Sequence, residues 1–128
     1  IWNLLLLDFK LPYLYIILTL ANVYYNIQFK LIEIRRANEF AKWLKRLKDL
    51  DAKSRINLRI RRISLTGNLG DHKSVGDGVY ELRLDYGPGY RLYFAQREKE
   101  IILLLIGGNK SSQQRDIRKA KELNKQYE

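Results

Sequence analysis

The sequence contains no cysteine, no methionine and a single histidine among 128 residues. Without cysteine there is no disulfide scaffold, no thiolate metal site and no thiol nucleophile, and a reducing, cytoplasmic setting is expected. With His72 alone there is no histidine zinc site and no second imidazole for a proton relay. Missing as well are a phosphate-cradling P-loop, a GxGxxG after a strand, a nucleophile elbow and a paired acidic cluster for a metal. Neither a cofactor nor a metal is expected.

Acidic charge is the other scarcity. Lys and Arg number 24 against 14 Asp and Glu, a net charge of +10. Such an excess in one small domain favours a polyanionic partner through phosphate neutralisation and counterion release. The alternative is a merely soluble basic protein, so the position of the arginines has to decide. The hydrophobic and charged fractions are those of a globular domain with one modest core.

Residues 1–30 differ in composition from the rest. Only Asp8, Lys10 and Lys30 carry charge there, and the stretch is rich in Leu, Ile, Tyr and Asn. Its longest uncharged run, Leu11 to Gln28, has 18 residues but includes Pro12, Thr19, Asn22 and Asn26. It has no basic n-region and no Ala-x-Ala site, which argues against a signal peptide or membrane anchor. A packed extra helix or strand is the second reading. The expectation adopted is the third, a hydrophobic extension outside the native domain, with residues 31–128 forming the domain and Leu31 an alternative start.

From Leu31 the pattern turns regular. Leu31–Arg35 alternates as a strand. Asn38 is the expected cap of a helix running to about Asp49, with Phe40, Trp43, Leu44, Leu47 and Leu50 on one face. Asp51 is expected to cap a second helix to about Leu65, ended by Gly67, with Ile56, Ile60 and Ile63 inward and Arg55, Arg59, Arg61 and Arg62 outward. Asn68–Gly78 reads as a polar loop. Val79–Leu84 and Tyr90–Gln96 alternate as a hairpin about Asp85-Tyr86-Gly87-Pro88-Gly89, and Ile101–Ile106 is apolar throughout, a strand buried on both faces. Gly107–Lys110 reads as a break. Ser111 and Gln114 then have capping-box spacing for a last helix with Ile117, Ala120, Leu123 and Tyr127 inward. The fold class expected is α+β, with helices on one face of a small antiparallel sheet.

The hairpin sets Arg83 opposite Arg91, a repulsive cross-strand pair that makes sense if an anion sits between them. Lys110, four residues past an Ile106 expected near Arg91, should emerge at the same end of the sheet, with Ser111 and the last helix's N-terminus beside it. Arginine forks and helix amides both favour phosphate. Lys73 could join from the preceding loop. Tyr86 and Tyr93 are candidate rim aromatics for stacking on bases, Tyr93 equally a packing residue. Glu81 shares a face with Arg83, as a proton acceptor or as its salt-bridge partner. Trp43 reads as core and His72 as a loop residue.

EFAKWLKRLKD, GDGVYELRLDYGPGYRLYF and IILLLIGGNKSSQQRDIRKAKEL, in that order, resemble the HigB-like branch of the RelE/ParE toxin superfamily, over about Leu31 to Leu123. The resemblance implies a RelE-like fold: an N-terminal strand and helical hairpin packed on the sheet, with a C-terminal helix. It implies the toxin of a type II toxin–antitoxin system, a metal-independent endoribonuclease cutting mRNA on the ribosome and arresting growth. ParE-like relatives poison DNA gyrase instead, and a plain RNA-binding module is a third possibility. The partner implied is a helix-turn-helix antitoxin. The basic catalytic positions of RelE-type enzymes match Arg83, Arg91 and, approximately, Lys110, and Glu81 is the candidate base. Two positions depart: a lysine common on the second strand is Glu81, and the late tyrosine falls near Asp116.

Overall fold

The computed structural model describes residues 2–28 and 31–128, with side chains for residues 11–25 and 31–128. The chain divides into two compact units, Ile1–Lys30 and Leu31–Glu128. In the first, α1 spans Trp2–Gln28 with Pro12 inside it. The proline ring cannot donate to the carbonyl four residues back, so that one rung is missing. Thr19 donates its hydroxyl to the Tyr15 carbonyl, the local back-bond that threonine makes within helices. Among the described residues no helix is long and apolar enough to cross a membrane.

The second unit runs β1 (Glu33–Arg36), α2 (Asn38–Arg46), α3 (Leu50–Thr66), β2 (His72–Gly76), β3 (Val79–Leu84), β4 (Tyr90–Glu98), β5 (Ile101–Asn109), a single 3-10 turn (Lys110–Ser112) and α4 (Gln113–Gln126). This is the expected α+β domain of an N-terminal strand, a helical hairpin, a sheet and a C-terminal helix. The five strands lie in the order β1-β5-β4-β3-β2. β1 runs parallel to β5 and the other neighbours are antiparallel, so the sheet is mixed and not the purely antiparallel one expected.

Alternation assigns the two faces as expected. Leu82, Leu84, Leu92 and Phe94 pack against Phe40, Ile56, Ile60 and Ile63 of the helical hairpin. Val79, Tyr93, Ala95, Leu103 and Leu105 pack with Ala120 and Leu123 of α4. Here the expectation of helices on one face is corrected. Ile102 and Leu104 serve one cluster and Leu103 and Leu105 the other, so β5 has apolar side chains on both sides and needs a cover on each.

Four local expectations change with it. The stretch read as a loop contains β2, an edge strand whose residues other than Val75 are exposed; with no inward apolar set, it shows no alternation. Asp49, not Asp51, caps α3, accepting from the Ala52 amide at 3.0 Å, and Leu50 is exposed. Asn38 is the first residue of α2 rather than its cap, and its amide donates to the Tyr127 hydroxyl at 3.2 Å. Ser111 is not a cap either: Asn109 accepts from the Ser111 amide, while the Ser112 hydroxyl accepts from the Asn109 amide. Gly67 does end α3 in the left-handed region, at φ 70°.

The expected break at Gly107-Gly108 is instead the continuation of β5. Both glycines are buried because neighbours occupy the space a side chain would take. A Cβ on Gly107 would enter the Trp43 ring, and one on Gly108 would enter the Asp116 carboxylate. Glycine here serves close approach. Gly107→Ala should therefore overpack the α2–β5 contact and cost about 1–3 kcal/mol, read as a lowered urea midpoint at unchanged m-value.

Candidate anion-binding site

Register gathers the charged residues. Arg83 pairs with Arg91 and Glu81 with Tyr93 across β3 and β4, while Lys73 lies opposite Glu81 on β2. All therefore belong to the face that α4 covers in part. Ile106 pairs with Tyr93, not near Arg91 as expected; irregularities after Tyr93 and Gln96 shift β5, and Gly108 lies opposite Arg91.

Glu81 is the hub. It is fully buried. Its Oε1 accepts from Arg83 Nε at 3.0 Å, and Arg91 Nε lies 3.7 Å from the same oxygen. Its Oε2 accepts from Gln113 Nε2 at 2.8 Å and from the Tyr93 hydroxyl at 3.1 Å. Burial pushes the Glu81 pKa up, but the hydrogen bonds from Gln113, Arg83 and Tyr93, with the charge of Lys73, outweigh it and hold the carboxyl below its usual value. Tyr93 moves the other way: burial, then the neighbouring Glu81 carboxylate, raises its phenol well above the ordinary range. Each residue follows one of the two readings expected of it. Glu81 is the salt-bridge partner of the arginines, buried on β3, and with its pKa held low it is poorly suited to take a proton. Tyr93 is fully buried and anchors Glu81, so its ring is not a rim aromatic.

Beyond Glu81 the arginines reach an open pocket. A cavity of about 300 Å³ is lined by Arg83, Arg91 and Lys110 together with Asp71, Asp85, Gly89 and neighbouring apolar groups. The three cations expected to converge do line one cavity. Arg83 remains 38% exposed at its side chain and Arg91 12%. Arg91 Nη1 donates to the Gly89 carbonyl at 2.8 Å, while its Nε is buried without a hydrogen bond. The turn that presents Gly89 needs positive φ at Gly87 (55°) and Gly89 (75°), and the Lys110 amide closes onto Pro88 O at 3.4 Å. Behind Arg83, its amide donates to Asp71 O and its carbonyl accepts from Arg59 Nη1.

Arg59, expected on the outer face of α3, is thus a clamp: it also binds the Leu69 and Asp71 carbonyls and fixes the loop entering β2. Tyr86 lies away from the arginine cavity. Its ring stacks on Tyr90 and carries the Arg55 guanidinium at 4.4 Å, beside a separate cavity of about 320 Å³ that includes Arg59 and Arg62. Ser111 is exposed next to Lys110, its hydroxyl donating to Asn109 Oδ1 at 2.5 Å. Lys73 is exposed on the edge strand. Gln113 escaped the sequence reading, having been read only as part of a helix start. Among the described residues, no group of three or more His, Cys, Asp or Glu could hold a metal ion.

No family model matches the chain. A Haemophilus influenzae protein, described only as uncharacterized, is 49% identical over 92 residues, covering 72% of this chain and 92% of that protein. The chain belongs to that protein's family. Among solved structures, a double arginine-to-alanine mutant of the E. coli toxin RelE in its free state superposes with a TM-score of 0.54. Identity is 16%, and the match covers 67% of this chain and 92% of that one. The fold is therefore RelE-like.

Glu81→Gln tests the hub. Removing the charge leaves two arginines facing each other uncompensated, at a cost of about 3–5 kcal/mol, toward the lower end because Arg83 is partly solvated. The folded pKa lies below the unfolded one, so the stabilisation is complete above the unfolded value and lost as pH falls through the folded value. Urea melts should show the gap between the two proteins widest at neutral pH and closing in acid.

Proposed function

We propose that residues 31–128 are the toxin of a type II toxin–antitoxin system, of the HigB-like branch, acting in the cytoplasm as a metal-independent endoribonuclease on ribosome-bound mRNA. The observation that carries this reading is the single cavity lined by Arg83, Arg91 and Lys110 on a RelE-like fold. The net charge of +10 fits an RNA substrate. In the reaction a ribose 2′-hydroxyl gives up its proton and attacks the adjacent phosphorus. The phosphorus–O5′ bond breaks and the 5′ oxygen takes a proton, leaving a 2′,3′-cyclic phosphate and a 5′-hydroxyl. Arg83 and Arg91 stabilise the charge growing on the phosphoryl oxygens, and Lys110 holds the phosphate or assists the leaving oxygen. Glu81 positions the two guanidiniums. Lys73 and Ser111 border the RNA path. A helix-turn-helix antitoxin covers the basic surface with acidic or apolar segments.

One observation favours a second reading. Glu81, the one carboxylate matched to an acid–base role, is committed to four neighbours, which suits a non-catalytic binder such as a ParE-like gyrase inhibitor or an RNA-binding module. Induction of the chain followed by mapping of RNA ends separates them. Cyclic-phosphate and 5′-hydroxyl ends within mRNA are expected, and Arg83→Ala or Arg91→Ala should slow cleavage about 10²–10³-fold with the fold retained by circular dichroism. Growth arrest with intact RNA and blocked supercoiling would establish the inhibitor instead.

A further inference from the structure

A larger cavity lies outside the arginine pocket. It measures about 570 Å³ and opens along the edge of β5 between α2 and α4. β1 pairs with β5 only as far as Leu104, so Ile106 to Asn109 have no strand on that side. Gly107 and Gly108 keep side chains off this strip, and the half-buried Trp43 ring packs where a Gly107 Cβ would stand. Four cations line the walls: Lys42 and Arg46 from α2, Arg115 and Lys119 from α4. Its two acids are engaged. Glu39 accepts from the Tyr127 hydroxyl, and Asp116 accepts from Ser112 and lies 3.8 Å from Arg115. Lys42 and Arg46 make no ion pair among the described residues, and both are exposed.

The two cavities are adjoining. Gly108 and Asn109 line this one, Lys110 lines the other, and Gly108 lies opposite Arg91 in the ladder. We propose that the β5-edge cavity holds the single-stranded RNA flanking the phosphate bound at Arg83 and Arg91, with Trp43 stacking one base and Lys42, Arg46 and Arg115 neutralising the backbone beside it. An aromatic ring among cations is the arrangement that binds single strands, since every base offers a π-face and every linkage a charge. The inference rests on the RNA reading given above and adds the path of the strand.

The sequence has two tryptophans, so Trp2→Phe in the full chain makes Trp43 the sole indole reporter. Titration with a short 2′-O-methyl oligoribonucleotide, which cannot be cleaved, should quench it saturably. The exposed pair Lys42→Ala/Arg46→Ala should flatten the slope of log K against log salt by about 1.4, or about 0.7 for each phosphate no longer neutralised. Trp43→Ala should weaken binding about 5- to 150-fold, measured by anisotropy of a labelled strand. Absence of quenching, an unchanged salt slope in the double variant, or equal quenching by poly-glutamate would overturn the proposal, the last in favour of an acidic protein partner. Failure of the nuclease reading is separable: quenching without RNA cleavage sinks only that reading. Cleavage by a protein whose Trp43 is not quenched sinks only this one.

Discussion

One buried carboxylate holds the arginine-bearing end of this sheet together. Arg83 and Arg91 face each other across β3 and β4, and unscreened guanidiniums at that separation destabilise a ladder. Glu81 sits beneath both, with one oxygen shared between them and the other held by Tyr93 and Gln113. A charge so deeply buried persists because each oxygen is matched by donors. Those donors come from three places: the same strand, the next strand and the first turn of α4. The carboxylate therefore also fixes where α4 begins relative to the sheet.

The β5 glycines are the second constraint, and they act on the opposite flank. Gly107 lets Trp43 of α2 close onto the strand from one side, and Gly108 lets Asp116 and Ser112 of α4 close from the other. A strand buried on both faces brings two helices near its edge without sealing it. The result is main chain flanked by cationic helix faces, next to the pocket that Glu81 organises. Both close approaches thus have a common cause in the small size of two residues.

The sequence showed where the arginines would be, because hairpin symmetry about Gly87 sets cross-strand partners without reference to anything distant. Glu81 as a partner of Arg83 was also legible, since it stands two residues before it on the same face, but its burial was not, because that depends on Gln113, which is 32 residues away. What escaped the reading was non-local or without pattern. β2 offers no apolar alternation, the shifts in β4–β5 add residues that a symmetric hairpin does not count, and the role of the double glycine appears only once Trp43 and Asp116 are placed against it. Tyr93 was ambiguous for a physical reason, since a tyrosine on an alternating strand can present its ring outward or bury it and spend its hydroxyl on a partner. Asp49 and Asp51 both suit a cap; backbone geometry chose the first.

Commitment to Glu81 does not exhaust the arginines. Arg83 reaches the carboxylate through Nε, the nitrogen nearest its stem, and no hydrogen bond among the described residues engages its two terminal nitrogens. Those are the atoms that form the fork for phosphate. Arg91 spends one terminal nitrogen on Gly89, and its Nε is a buried donor without a hydrogen-bond partner. One carboxylate against two guanidiniums leaves that trio with a net positive charge, to which the cavity lining adds Lys110 on one side and Asp71 and Asp85 on the other. Glu81 thus lowers the cost of bringing the arginines together without neutralising both. A proton acceptor at the same position would need the opposite: a carboxyl free of donors and with its pKa raised toward the working pH.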